Sequence, residues 1–426
     1  AARESLQKAT ELAPEDALVW ARLAEIELSR GDLDAALKAA TKAEILDPDL
    51  ARTETVLGFA YLTRIDIDEA KAAFGRAIAR DPADPLPRLG MGLAKIRDGD
   101  LDAGTEEIEI AATLDPNNSL VRSYLGKAYY EQKRGGLAET EFEQAKLLDP
   151  KDPTPWFYDA IHKQTTNRPI EALHDLQKAI DLNDNRAVYR SRLLLDDDWA
   201  TRTTNLGRIY TDIGFQQLAV VESAKSLSLN PANYSAHRLL SDSYLGLTRY
   251  EIARGSELLQ SRLLQPVTSN PVRPSRSASD IRIAGSAGPA DAGFNEFSPL
   301  FERNRVRLLT SAFGGSHTTW GEETVLSALY DRVAVSLGQF HSDTEGFRPN
   351  NDLKQDRYEL FGQIALTSFL DIQAEYRYQD REHGDLRSNF DPNNFLDNVR
   401  QSVTEESGRI GVHLRLSPHS DFLVSG

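Results

Sequence analysis

The chain has 426 residues, a formal net charge of −16 and no cysteine. A disulfide framework, a thiolate metal site and a cysteine nucleophile are excluded, and without a basic stripe to offset the acidity no nucleic-acid partner is expected. No apolar run approaches the length of a helical membrane span.

Residues 1–265 read as a helical repeat. Prolines stand at 14, 48, 82, 116 and 150, each 34 residues after the last. A fixed period of this size marks stacked two-helix units rather than one globule. Small and large residues recur on the same beat: Leu57, Gly58, Tyr61, Ala70, Phe74, Ala77 and Pro82 in the second unit, and Leu125, Gly126, Tyr129, Ala138, Phe142, Ala145 and Pro150 in the fourth. The first keeps Trp20, Leu23, Ala36, Ala43 and Pro48. This pattern resembles the tetratricopeptide repeat. Small residues let the two helices of a unit approach, aromatics fill the gap to the next unit, and proline stops the second helix.

The third unit departs, with Met91, Lys95 and Gly104 in place of Leu, Tyr and Ala, and the fifth ends in Asp184 where proline is expected. The next proline, Pro231, comes 47 residues after Asp184, so an insertion is expected at Asn185 to Ala200, one that either forms an extra helix or, the favoured reading, bends the solenoid. Two further units carry Leu206, Gly207, Tyr210, Ala219 and Pro231, then Leu240, Tyr244, Ala253 and Pro266. The resemblance implies a concave face built from the first helix of each unit, where partners dock. Its candidate partner-binding residues are Arg52, Thr55, Phe59, Arg97, Ser123, Lys127 and Tyr130. The plainer alternative makes each of them an ordinary packing or solvated residue.

Residues 266–300, rich in Pro, Ser, Gly and Ala, read as a linker. GSAGPADAG (285–293) lacks the preceding strand, lysine and following helix of a phosphate loop. Phe294, Phe297 and Phe301 then lie close together and are expected to seal the start of the next domain against the linker.

Residues 301–426 alternate with a period of two. The clearest stretch is Arg357 to Asp380, where Ile372, Ala374, Tyr376 and Tyr378 alternate with Gln373, Glu375, Arg377 and Gln379. Strands are expected at 304–313, 323–330, 333–342, 356–366, 371–380, 408–416 and from 421. Long connections alternate with short ones, as in an outer-membrane barrel with short periplasmic turns and long outer loops. By that rhythm the first strand runs outward and the repeats stand in the periplasm. Of the 34 aromatic residues, 16 fall in the last 133, near strand ends, as membrane girdles require. Seven strands fall short of the even number usual in a single-chain bacterial barrel, so the chain is expected to be a piece of a longer protein.

The expected fold class is α plus β in separate domains, an α-solenoid of tetratricopeptide repeats followed by antiparallel strands of an incomplete transmembrane barrel. The lumen-facing set is Arg305, Arg307, Arg357, Glu359, Gln363, Gln373, Glu375, Arg377, Arg409, His413 and Arg415. Each Lys or Arg on the lipid face near mid-membrane costs about 2–4 kcal/mol, so these must face water or each other. A soluble β-sandwich with its polar face outward is the alternative.

Histidines show no metal spacing, and the acidic loop around Asp380, Glu382, Asp385, Asp391 and Asp397 lacks the EF-hand pattern. No catalytic constellation and no cofactor are expected. The combination is similar to the outer-membrane exopolysaccharide export porins and to bacterial proteins joining FecR-like, tetratricopeptide and barrel regions. That similarity implies export or transport through the barrel, with envelope proteins on the repeats, an exported polysaccharide in the lumen and outer-membrane lipid outside. The competing expectation is a scaffold, anchored or soluble, that binds proteins through its repeats alone.

Overall fold

The computed structural model describes residues 2–182, 199–244, 247, 249–277, 301–387, 391, 393–417 and 420–426. The chain divides into two compact units. The first holds the described residues up to Ser243, with Phe301, Glu302, Arg303, Leu416, Ser417 and Ser420; the second holds the rest.

In the first unit a lone helix α1 (Ala2–Leu12) precedes α2 (Ala17–Arg30) and α3 (Leu33–Leu46). Then come α4 (Ala51–Thr63), α5 (Ile67–Arg80), α6 (Pro85–Asp98), α7 (Leu101–Leu114), α8 (Ser119–Glu131) and α9 (Gly135–Leu148). The series ends with α10 (Pro153–Thr165), α11 (Pro169–Asp181), α12 (Trp199–Asp212), α13 (Gln216–Leu229) and α14 (Tyr234–Tyr244). From α2 to α13 the helices pair in succession, an even-numbered helix with the next odd one, and each pair stacks on its neighbour. The expected insertion at Asn185 to Ala200 lies outside the described residues except for Trp199 and Ala200, which open α12.

The 34-residue beat has a local cause at both ends of the first helix of a unit. Asp16, Asp84, Asn118 and Asp152, 34 residues apart or a multiple of it, accept hydrogen bonds from backbone N–H groups of the following turn. At the other end the chain turns through a left-handed residue at Gly31, Ile65, Gly99, Lys133 and Asn167, again 34 apart. Only two of the five are glycine, although the conformation costs other residues about 1–2 kcal/mol.

Phe74 shows how the units lock. Its ring is fully buried and lies between two glycines, Gly58 of its own unit and Gly90 of the next. A methyl group at Gly58 would stand 2.6 Å from the ring and one at Gly90 would stand 2.3 Å from it. Phe59 meets the same ring edge-on at 4.9 Å. In the irregular third unit the helices approach closer still. Gly92 and Gly104 face one another so tightly that a methyl on either would lie 2.6 Å from the other's carbonyl oxygen. The departure at Gly104 is therefore compensated by Gly92.

The second unit is a sheet of seven strands in sequence order, every neighbouring pair described as antiparallel from β1 to β6. They are β1 (Arg305–Gly314), β2 (Trp320–Tyr330), β3 (Val333–Thr344), β4 (Leu353–Ala365), β5 (Leu370–His383), β6 (Gln401–Ser417) and β7 (Ser420–Ser425). Several are longer than the spacing of sequence signals suggested, β6 beginning at Gln401 rather than 408. Connections at 315–319, 345–352 and 384–400 alternate with the shorter 331–332 and 366–369. Among the described residues β1 and β7 are the two edges, and the sheet is not closed into a barrel.

Two boundaries differ from expectation. The last expected repeat helix, α15 (Glu251–Leu264), belongs with the sheet, so the helical unit ends at Ser243 rather than residue 265. Its buried positions hold Arg254, Leu258, Ser261, Arg262, Leu263 and Leu264, two of them arginines, where a repeat helix places small and aromatic side chains. Residues 266–277 do not run as a free linker either. They lie on the sheet, closing with the short turn α16 (Pro274–Ser277), and Pro274 packs so tightly on Gly338 that a methyl there would come within 2.5 Å. Residues 278–300, including Phe294, Phe297 and the GSAGPADAG stretch, lie outside the described residues.

Two substitutions test this account. Gly90→Ala places a methyl against a ring that has no room to move, and is expected to destabilise the chain by about 1–3 kcal/mol in denaturant unfolding followed by circular dichroism. Adding Phe74→Leu should recover part of the loss, and an unchanged midpoint for Gly90→Ala would contradict the wedge. Gly31→Ala, at a φ of 77°, is expected to cost about 1 kcal/mol by the same measurement.

Candidate functional site

The expected concave-face residues separate into two groups. Phe59 is a core residue against Phe74, and Thr55 is buried with its hydroxyl donating to the Ala51 carbonyl at 2.8 Å. Arg52 ties α4 to α2 through an ion pair with Glu25, whose side chain is almost fully buried. Ser123, also buried, donates to the Ser119 carbonyl of its own helix at 2.7 Å. Phe59 and Arg52 thus join neighbouring helices, and Thr55 and Ser123 are buried and bonded within their own.

Arg97, Lys127 and Tyr130 converge instead on one place, and a short segment of the same unit lies there. Phe301 is 2 % exposed, and its ring stacks on Tyr124 with centroids 6.0 Å apart and planes 13° from parallel. The Lys127 ammonium lies 5.5 Å from the centre of the Phe301 ring and 4.4 Å from that of Tyr130, both within cation–π range. Arg97 Nη1 donates to the Glu302 carbonyl at 3.1 Å. Arg303 Nη1 reaches Glu131 Oε2 at 2.9 Å, and Lys127 Nζ reaches the other oxygen of the same carboxylate at 2.8 Å. Burial pushes the Glu131 carboxyl up, but Lys127 and Arg303 outweigh it and hold its pKa down to about 2. Phe301 thus lies in the helical groove, not at a seal between linker and strands.

Sequence reasoning found Arg97, Lys127 and Tyr130 but missed Tyr124 and Glu131. Glu131 follows Lys127 by one helical turn and faces the same way, which was the available signal. Deeper in the stack, Lys146 and Lys163 contact both Asp159 and Asp175 at 2.5–3.1 Å in a buried square of two acids and two amines. Lys146 also reaches Glu143 at 2.9 Å, so both amines are fully engaged by carboxylates of the helices themselves, a packing device.

On the sheet, the eleven residues expected on one face do share it. The register pairs Glu359 with Arg377, Gln363 with Gln373 and Glu375 with Arg409, and directly opposed residues point the same way. What they face is the chain itself. Arg262 of α15 makes an ion pair with Glu375 and another with Glu359 at 3.4 Å. Gln373 donates to the Arg262 carbonyl and Gln363 to the Gln265 carbonyl, both at 2.9 Å. Arg305 donates to the Ser269 hydroxyl at 2.9 Å, and Arg307 bonds Asn270. Arg377 and Arg409 complete the shell of Glu375, and Arg409 also donates to Gln373 at 3.0 Å. Arg357 is buried on this face. His413 pairs with Asp421 at 2.7 Å, and Arg415 lies 3.8 Å from the same carboxylate.

The opposite face is bare and apolar. Val306, Leu308, Leu326, Tyr330, Val335, Leu337, Leu360 and Ile410 are all exposed, Val306 by 73 % and Ile410 by 63 %. Trp320, Tyr330 and Phe369 stand exposed at strand ends, whereas Tyr358 and Tyr376 are exposed within β4 and β5. In the loops, Asp385 is engaged by both nitrogens of an Arg387 fork at 2.9 and 3.0 Å and by the Leu396 N–H at 2.9 Å. His341 pairs with Asp356 at 2.7 Å. No group of three or more His, Asp or Glu among the described residues is placed to hold a metal. No described helix is long and apolar enough to cross a membrane.

The tetratricopeptide repeat family matches residues 1–51 and 89–153. No curated protein matches the chain. Among solved structures the chain is similar to the APC/C hetero-tetramer Cut9–Hcn1, at 19% identity and a TM-score of 0.51, over 61% of this chain and 49% of that one. It is similar to yeast Tom70 at 19% identity and a TM-score of 0.46, over 62% and 54%. YrrB, described as a tetratricopeptide protein with an unusual peptide-binding site, aligns at 22% identity and a TM-score of 0.30, over 44% of this chain and 96% of that one. The chain spans about half the length of the first two. At such identities the likeness concerns the fold alone. The N-terminal half of the chain carries a tetratricopeptide repeat domain, and a seven-stranded antiparallel sheet follows it.

Proposed function

We propose that this chain is an outer-membrane protein whose sheet is part of a barrel anchored in lipid, and whose repeats stand in the periplasm as a docking scaffold for envelope proteins. The observation that carries the membrane half is the inversion of the sheet. A sheet of a water-soluble sandwich buries its apolar face and wets its polar one. Here the polar face is covered and the apolar face is bare over several strands, the arrangement a bilayer rewards. Exposed Trp320, Tyr330 and Phe369 at the strand ends and the alternation of long and short connections support the same reading.

Within this proposal the barrel acts as an anchor more than an open channel, because residues 262–275 of the chain occupy the charged face. A transport role is the second reading, favoured by Arg377 and Arg409, which stay on the strands and suit an anionic polymer if that segment leaves. No catalytic step is assigned.

In lipid vesicles, Leu337→Arg at the middle of β3 is expected to cost about 2–4 kcal/mol of unfolding free energy. A loss below about 0.5 kcal/mol, the usual size for a water-exposed surface site, would remove the membrane reading. In planar bilayers the full-length protein is expected to show no steady conductance. A steady open channel, altered by replacing Arg357, Arg377 and Arg409 with Ala, would select transport over anchoring.

A further inference from the structure

The groove of the helical unit is occupied, and its occupant is a defined tripeptide of the same chain. Three features of Phe301–Glu302–Arg303 are read separately. The Phe301 ring fills a slot between Tyr124 and the Lys127 ammonium. Arg97 donates to the Glu302 backbone carbonyl. The Arg303 guanidinium meets Glu131, which the helices already hold charged and buried beside Lys127. An aromatic slot, a main-chain anchor and a buried carboxylate together form a recognition site for a short peptide segment. Such a site does not require its ligand to be covalently attached.

We propose that this groove is a docking site for a short protein segment that presents an aromatic residue and, two places on, an arginine, that Phe301–Arg303 holds it shut in the resting chain, and that a partner bearing the same pair binds by displacing this strap. The proposal deepens the docking half of the proposed function. It does not depend on the membrane half.

The charge logic fixes the sequence preference. Without a cation from the ligand, the buried Glu131 keeps only Lys127, so a segment ending in a neutral or acidic residue leaves the carboxylate under-compensated. Arginine suits the site better than lysine, because its planar fork is the more weakly hydrated cation and tolerates the dry surroundings. A ring is needed at the first position because the slot is lined by the face of Tyr124 and by a cation, both of which favour an aromatic surface.

The experiment uses the full chain in detergent and a fluorescein-labelled peptide of residues 299–304, PLFERN, read by fluorescence anisotropy. A released chain, Phe301→Ser with Arg303→Ser, is expected to bind the peptide at least tenfold tighter than the wild type, whose groove is filled. Adding Glu131→Arg to the released chain is expected to abolish binding of PLFERN and to create binding of PLFEEN, where glutamate replaces the arginine. Equal binding to the wild-type and released chains overturns the strap, and binding to neither overturns the site. Binding that ignores the Glu131→Arg reversal overturns the assigned specificity. Circular dichroism of each variant guards against loss of the helical fold, and Arg303→Ser alone provides a milder release expected to show the same direction. Peptide binding reads the groove alone, whereas the vesicle measurement on Leu337→Arg reads the sheet, so the two readings fail independently.

Discussion

The constraint on which the rest depends is the solvation of Glu375. This carboxylate sits at the middle of a sheet with its side chain 3 % exposed, and three arginines, Arg262, Arg377 and Arg409, surround it. Removing one partner from a buried pair costs about 3–5 kcal/mol, a large part of a domain's whole stability of about 5–15 kcal/mol. Arg377 and Arg409 come from the strands themselves, but Arg262 comes from α15, so the charged face is completed only when that helix lies on it. The same helix end supplies carbonyls to Gln363 and Gln373, whose amides would otherwise be buried without acceptors. The sheet therefore specifies its own cover, and the helix that a repeat-counting argument assigns to the solenoid is drawn to the strands.

Once the charged face is covered, the other face has to be accounted for. Strand alternation allows only two solutions, because a period of two commits every second residue to one side. With Arg, Glu and Gln committed inward, Val306, Leu308, Leu326, Val335, Leu337, Leu360 and Ile410 are left outward. An apolar surface spread across several strands exceeds the scattered single exposures normal for a soluble protein. The polar cover and the bare apolar face are thus one fact seen from two sides.

Much of this was legible in the sequence, for physical reasons that differ between the parts. The helical beat was legible because Pro, Gly and Phe have jobs that few other residues can do, as the Phe74 ring held between Gly58 and Gly90 shows. The left-handed turn residues on the same beat were not, because Ile65, Lys133 and Asn167 adopt the conformation that Gly31 and Gly99 adopt freely. Tertiary packing of the unit overrides local preference there, so no residue type marks the site. On the strands, parity alone placed all eleven polar residues on one face. Their partners stayed hidden, since residues 266–277 use Pro, Ser and Asn, a composition that reports only the lack of helix and says nothing of what the backbone carbonyls will bond. Phe301 was misplaced for a related reason. An aromatic next to a strand start looks like part of the sheet's own core, and only three dimensions bring it beside Tyr124 and Lys127.

The helical groove and the polar face of the sheet share a design. Each is a surface that a sequence reader would offer to a partner, and each is filled by a segment of the same chain: Phe301–Arg303 in one unit, Arg262–Ser277 in the other. A tethered segment acts at an effective concentration in the millimolar range when its linker is short and flexible. A free segment of equal intrinsic affinity, present at micromolar levels, is then outcompeted by about a thousandfold. Displacement in trans consequently needs either a better match to the groove or several contacts at once. Stacked repeats lend themselves to the second route, because a long partner can hold neighbouring units first and reach the occupied one last. The strap then does more than fill a groove: it sets the threshold of partner length below which the scaffold stays closed.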